Sequence, residues 1–363
     1  MNGLLPEGFH DRLPPFADAA AVLERRVLDV ARLYGYERVD PPLAEFEDSL
    51  GERLKAANAK DAVRFTDPAS RRTLAIRPDI TAQVGRIAST RMAHHPRPVR
   101  LCYSGQIVKL RASQLRPERA TRQMGCELIG RDGVAAVREI VTVAVEALER
   151  AGVAGLALDF TLPDLVEQLA PDMDRDRLAA LRGRLDAKDA AGVAAIDPAF
   201  LPLIEAAGPF EAALARLRAH DRAGVLGWRL DGLEAVAEAV AGKVALTLDP
   251  TERHGFEYQS WIGFSLFAQG VRGEIGRGGS YQVIGAQGEE PAVGFSLFTD
   301  PILDAGLANG ERRRLFLPLG TDGELAAKLR GDGWVAVAAL DADDNAAAQL
   351  CTHRLEGERV VEV

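Results

Sequence analysis

Cysteine is scarce here: Cys102, Cys126 and Cys351 are the three in 363 residues. No two form a Cys-x-x-Cys pair, so neither a zinc site nor a disulfide framework is indicated; reduced thiols in a cytoplasm are the expectation. A basic surplus is also missing. Lys and Arg number 44 against 53 Asp and Glu, for a net charge of -9. A surface of that sign does not favour phosphate backbones, so no nucleic-acid partner is expected. No apolar run is long enough to cross a bilayer, because charges interrupt the Ala/Val-rich stretches. The opening MNGLLPEGFHDRLPPFADAA lacks a basic segment followed by an apolar one. No signal peptide is read there, and a cytoplasmic protein without membrane attachment is expected. There is no internal repeat and no low-complexity linker. What remains is ordinary globular composition, 47% hydrophobic and 27% charged. Its length suits one large core and a second, smaller domain.

Residues 17–33 carry Leu23, Val27, Val30 and Ala31 at helical spacing, with Gly35 placed to end the helix. YERVDPP reads as a short strand stopped by Pro41 and Pro42. A hairpin is predicted from Val63–Thr66, a turn at Asp67–Ser70, and Thr73–Ile76. Residues 99–109 and 119–130 read as strands, and 134–151 as an amphipathic helix. From about 163 to 241 the chain is helical, rich in Ala, Leu and Arg, and broken by Asp, Gly and Pro. Strands resume with VALTLD, FEYQSWIGFSLFAQG, GSYQVIG and AVGFSLF. Their short Gly-containing connections argue antiparallel pairing. Beyond a boundary near GLANGERRR, a β-α-β unit and a final hairpin follow.

Four segments place polar groups in or beside apolar strand sequence: IRPDIT (76–81), RQMGCELIG (122–130), RHGFEYQ (253–259) and GRGGSYQ (276–282). Three of them have a plain alternative. Asp79 and Thr81 suit the cap of a helix beginning near Ile80. Glu127 suits a water-facing strand position, and Gly278-Gly279 a bulge or tight turn. Lys109 and Arg111, two apart in sequence read as extended, are expected on one face.

Taken together and in this order, the segments resemble the catalytic core of class II aminoacyl-tRNA synthetases, specifically the histidyl-tRNA synthetase family, over roughly residues 1–305. GFHDRLPP resembles the family's opening motif, and the helix at 17–33 with the following strand its dimer-forming first motif. The resemblance implies an α+β fold: an antiparallel sheet flanked by helices, with a helical insertion (about 163–241) and a small C-terminal α/β domain (311–363). It also implies a histidine pocket containing Asp79, Thr81, Gln123, Glu127 and Tyr281, with Tyr258 beside it and Gln259 where the family has a tyrosine near the imidazole. The chemistry is coherent. An ammonium needs acceptors such as Asp79 and the Thr81 hydroxyl. An imidazole N–H can donate to Glu127. Tyr281 supplies an aromatic wall with a polar tip.

The departures fall on the family's nucleotide clamp. Lys109 and Arg111 stand where its second motif has Arg and Glu, which loses a bidentate fork and reverses a charge. His254 replaces a catalytic Arg, Pro301 falls where the third motif ends in Arg, and GGRYD has become GGSYQ. Amino-acid activation needs cations on the triphosphate and on the carboxylate under attack. Retaining the amino-acid pocket without those cations resembles a sensor. The family has such a paralogue, the regulatory subunit of ATP phosphoribosyltransferase. It has no catalytic residues of its own and pairs with a short catalytic subunit in the first step of histidine biosynthesis. The resemblance therefore implies histidine as effector and a homodimer within a hetero-oligomer, with no cofactor and no metal. Two other readings stand beside it. One is an active but divergent histidyl-tRNA synthetase. The other is a self-sufficient phosphoribosyltransferase, for which FTLPDLVEQ is the nearest candidate loop and reads more simply as a strand followed by a helix.

Overall fold

The computed structural model describes residues 4–51, 62–111, 117–253, 259–285, 288–306 and 313–363, with backbone alone at 50, 51 and 259. The chain divides into two compact units, Met1–Ala308 and Asn309–Val363. Strands of the first unit are β1 (Glu37–Arg38), β2 (Ala44–Phe46), β3 (Val63–Thr66), β4 (Thr73–Ile76), β5 (Val99–Val108), β6 (Ala120–Ile129), β7 (Leu156–Thr161), β8 (Gly208–Pro209), β9 (Ala245–Leu248), β10 (Gln259–Ala268), β11 (Gly276–Gly285) and β12 (Gly288–Phe298). The second unit holds β13 (Arg314–Leu317), β14 (Val335–Ala338), β15 (His353–Glu356) and β16 (Arg359–Glu362).

Among the described residues, nine strands form one sheet in the order β1-β5-β6-β12-β11-β10-β7-β9-β8. From β5 through β7 every neighbour is antiparallel. Toward the edges the pattern changes: β1 runs parallel to β5 and β9 parallel to β7. The expectation that VALTLD would join an antiparallel set is therefore corrected. The helical segment between β7 and β9 is the crossover, and returning a chain to a parallel neighbour requires such a connection. That segment also contributes the two-residue β8, which pairs antiparallel with β9.

Helix Phe16–Leu33 and helix Val134–Arg150 cover one face. Leu23, Val27 and Val30 of the first and Val137, Ile140 and Val141 of the second join a core with Met124, Cys126, Leu128, Phe264 and Phe295. The first helix ends because Gly35 adopts φ 83°, a left-handed conformation that costs glycine little. Gly35 and Tyr36 then donate backbone hydrogen bonds to Arg32 and Ala31.

Side chains on the opposite face are buried as well: Tyr103, Gln123, Glu127, Tyr281 and Ser296 are each at most 6% exposed. Helix Thr81–Ser89 packs Val84 and Ala88, with Ile80 before it, against Leu101, Tyr103, Ile129, Val283 and Ala292. The rest of that face carries alternate, largely polar or side-chain-free positions of β6, β12 and β11.

The small β2-β4-β3 sheet contains the expected hairpin, with the same strand bounds as read from sequence. Asp67 fixes its turn, accepting from the backbone N–H groups of Ala69 and Ser70. In the insertion, the Asp residues that break the helical pattern act as caps. Asp174 accepts from Asp176 and Arg177 N–H, and Asp189 from Gly192 N–H. In the second unit, parallel β13 and β14 flank the crossover helix Gly323–Gly331, and β15 and β16 make the terminal hairpin. Leu315, Leu317, Leu329 and Leu355 form its core.

Candidate ligand site in the buried polar network

Because successive strand residues point to opposite faces, Gln123, Gly125 and Glu127 of β6 share one face while Met124, Cys126 and Leu128 enter the core under the two long helices on the other. Register carries the Glu127 face across the sheet. Glu127 pairs with Gly294 and Gly125 with Ser296 on β12, while Gly294 pairs with Gly279 on β11. Tyr103 of β5 lies opposite Gly125.

These side chains form one continuous hydrogen-bonded network. Asp79, half-buried, accepts from Thr81 N–H at 2.7 Å through one carboxylate oxygen and from Gln123 Nε2 at 3.1 Å through the other. Gln123, fully buried, also donates to Ser296 Oγ at 2.7 Å and accepts from Ile80 N–H at 3.0 Å. Ser296 Oγ meets Tyr103 Oη at 3.0 Å, and Tyr103 Oη also lies 3.3 Å from Thr81 Oγ1. Tyr103 donates to Glu127 Oε1 at 3.1 Å, and Tyr281 donates to Glu127 Oε2 at 2.6 Å. Two glycines make the room. A Cβ on Gly294 would overlap the Glu127 carboxylate, and one on Gly125 would collide with the Tyr103 ring and Phe295 O.

Burial dominates the electrostatics. Glu127 is 1% exposed, and removal from water pushes its pKa up to about 8 from 4.5; the Tyr281 hydrogen bond opposes the shift. Burial also raises Tyr103 well above its ordinary value, helped by the nearby carboxylates of Glu127 and Asp79. The network therefore has a partly exposed carboxylate at one end and a buried, proton-holding carboxyl at the other, joined by hydroxyls and one amide. It offers acceptors to a ligand that brings an ammonium and a ring N–H.

Asp79, Thr81, Gln123, Glu127 and Tyr281 are thus brought together. The cap reading of Asp79 and Thr81 is met only in part: Ile80 is the N-cap and has no side-chain cap, Thr81 is the first helical residue, and Asp79 just before the cap accepts from Thr81 N–H. The water-facing alternative for Glu127 does not hold. Tyr258 and His254 lie outside the described residues. Gln259 is placed by backbone opposite Tyr281. The expected common face for Lys109 and Arg111 does not form. β5 ends at Val108, Lys109 N–H donates to Arg119 O, and the chain bends at Leu110 and Arg111, leaving Arg111 exposed. Pro301 sits in the short helix Thr299–Asp304.

Sequence reasoning missed Tyr103, Ser296 and Arg77. The signal for Ser296 was available: AVGFSLF alternates Gly294 and Ser296 with Val293, Phe295 and Leu297. Arg77, 4% exposed, donates to Gln106 O at 2.8 Å and Pro41 O at 2.7 Å, fixing the segment that carries Asp79. Gly105 leaves the space for its guanidinium.

The Histidyl-tRNA synthetase family model matches residues 8–302. A protein of Rhodospirillum centenum called ATP phosphoribosyltransferase regulatory subunit is 43% identical, over 99% of this chain and 96% of its own. One of the same name from Paramagnetospirillum magneticum is 41% identical over 100% and 98%. The chain belongs to the ATP phosphoribosyltransferase regulatory subunit family. Members of that family are non-catalytic subunits of an enzyme complex, on a histidyl-tRNA synthetase-like framework. The fold is shared with a Bacillus halodurans ATP phosphoribosyltransferase regulatory subunit/histidyl-tRNA synthetase at TM-score 0.80 and 22% identity, over 96% of this chain and 95% of that one. It is also shared with histidyl-tRNA synthetase of Nostoc sp. PCC 7120 at TM-score 0.77 and 15% identity, over 96% and 88%. Among the described residues, no helix is long and apolar enough to cross a membrane and no metal-binding cluster occurs.

Proposed function

We propose that this chain binds histidine at the buried polar network of Asp79, Thr81, Gln123, Glu127 and Tyr281. In the cytoplasm it would support and regulate a short-form ATP phosphoribosyltransferase catalytic subunit, in the first step of histidine biosynthesis. The observation that carries the reading is the acceptor network itself, with Asp79 and Thr81 for the ammonium and Glu127 with Tyr281 for the imidazole. Tyr258 and Gln259 belong to the proposed pocket through the family resemblance. The chain acts as a homodimer within a hetero-oligomer, its synthetase-like domain ending near residue 305 and its small α/β domain spanning 311–363.

The altered cations at Lys109, Arg111, His254 and Pro301 argue against adenylate chemistry. The test is co-expression with the short catalytic subunit, followed by phosphoribosyl transfer from PRPP to ATP with and without histidine. Activity that requires both chains and falls with histidine is expected. Robust histidine-dependent ATP–pyrophosphate exchange by this chain alone would instead establish a divergent synthetase.

A further inference from the structure

The network supplies acceptors for two of the three polar groups of histidine. Its carboxylate needs donors, and the same sheet face provides them one strand further on. Arg277 of β11 pairs directly with Ser296, the hydroxyl that links Gln123 to Tyr103. It shares its face with Gly279 and Tyr281, since positions two apart on a strand point the same way. Cross-strand partners keep their Cβ atoms about 5 Å apart, so Arg277 borders the network.

Its head is also held in place. The guanidinium carbon lies 5.7 Å from the centre of the Phe298 ring, within cation–π range, and Phe298 is the strand partner of Gln123. Glu274 accepts from Arg277 Nη2 and, through its other oxygen, from Ser265 Oγ at 2.7 Å. The Glu274 and Arg277 side chains are only 11% and 21% exposed. An ion pair withdrawn from water to that extent adds little stability by itself. It does preorganise a planar fork suited to a carboxylate.

We propose that Arg277 recognises the carboxylate of the bound amino acid, and so makes the site selective for histidine over analogues that lack that group. The inference rests on the histidine reading above and adds to it a specificity-determining residue. It predicts an asymmetry between two ligands that differ only there.

L-Histidine and L-histidinol, in which CH2OH replaces the carboxylate, are titrated calorimetrically into the full-length chain and its Arg277→Met and Arg277→Lys variants. The wild-type chain binds histidine at least tenfold more tightly than histidinol. Arg277→Met weakens histidine at least tenfold and leaves histidinol within about twofold, so the ratio approaches one; Arg277→Lys is intermediate. Because the ratio is read within each variant, a loss of stability common to both ligands cancels. A wild-type ratio preserved in Arg277→Met, or a parallel loss of both ligands, assigns Arg277 to the β10–β11 turn alone and overturns the proposal. Histidine binding that Glu127→Ala abolishes and Arg277→Met leaves unchanged overturns only the carboxylate assignment. Wild-type protein that binds neither ligand overturns this proposal and the histidine reading together.

Discussion

Tyr281 reaches Glu127 across an intervening strand, and Gly294 is the residue that lets it. Glu127 and Tyr281 lie on β6 and β11, with β12 between them, yet the hydroxyl donates to the carboxylate at 2.6 Å. Glu127 folds over Gly294, its direct strand partner. Gly294→Ala should therefore displace the carboxylate and break both tyrosine contacts. Overpacking of this kind costs about 1–3 kcal/mol. Denaturant unfolding should show that loss, and histidine affinity should fall with it. A variant as stable as wild type with unchanged affinity would show that the carboxylate has room to move.

Glu127 also sets a pH dependence of the free chain. Its folded pKa of about 8 exceeds the ordinary 4.5, so between those values the folded state holds a proton that the unfolded state has released. Stability contributed by this group is present below 4.5 and is lost as pH rises toward 8, by up to about 1.4 kcal/mol per unit. Glu127→Gln removes the titration and keeps the shape. Melting temperatures of the two proteins should therefore converge near pH 5, with the variant gaining as pH rises to 8. A constant difference across that range would place the carboxyl in a wetter site.

Glu139 has the opposite sign. Arg100 donates to both of its oxygens, at 2.7 and 2.8 Å, and Tyr36 donates at 2.9 Å. These partners hold its pKa below 4.5, with the Arg100 hydrogen bond the largest cause. Its contribution is present above 4.5 and lost as pH falls through the lowered value. Solvent screens this half-buried group, so Glu139→Gln should cost about 1 kcal/mol at pH 7 and less at pH 3. Chemical denaturation at the two pH values checks it.

Much of this architecture was legible because local chemistry specified it. The Asp67 turn fixed a hairpin between two strands of the right residue types, and Gly35 marked a helix end. The parallel edges were not legible, since β1 and β9 find partners chosen by distant topology. Nor was the use made of Gly125 and Gly294. A glycine in a strand announces missing volume, but the side chain that fills it becomes known only once β6 lies beside β5 and β12. Arg111 misled because strand alternation was carried past Val108, where the ladder stops.

Lys188 shows a strained residue with a compensating contact. It adopts φ 53° at the end of helix Arg175–Asp186, and its Nζ donates to Asp249 at 2.5 Å and to Thr251 Oγ1 at 2.6 Å. A non-glycine residue in the left-handed region costs about 1–2 kcal/mol, which a partly exposed ion pair of up to about 1 kcal/mol and a hydrogen bond offset. Lys188→Gly removes both sides of that balance. Global stability should change by less than about 1 kcal/mol while amides 249–253 exchange faster. Unchanged exchange there would show that the lysine does not tether the segment.

The last prediction concerns the proton that Glu127 holds. Below about pH 8 the free site carries it, and free imidazole carries its own below about 6.5. A complex pairing a bare carboxylate with a neutral ring would leave one charge buried without its counterpart, which is the costly arrangement. In the proposed histidine complex, the favoured arrangement shares a single proton between Glu127 and the ring. Below pH 6.5 the separated partners then hold two protons, and binding releases one. Between about 6.5 and 8 they hold one, and no net proton moves. Above about 8 they hold none, and binding takes one up. Histidine affinity should therefore form a plateau between those limits and fall by up to about tenfold per pH unit on either side. Calorimetry in buffers of different ionisation enthalpy measures the proton count directly. Net release of a proton near pH 7.2, with affinity still rising through pH 8, would mean that the ring meets an unprotonated carboxylate after all.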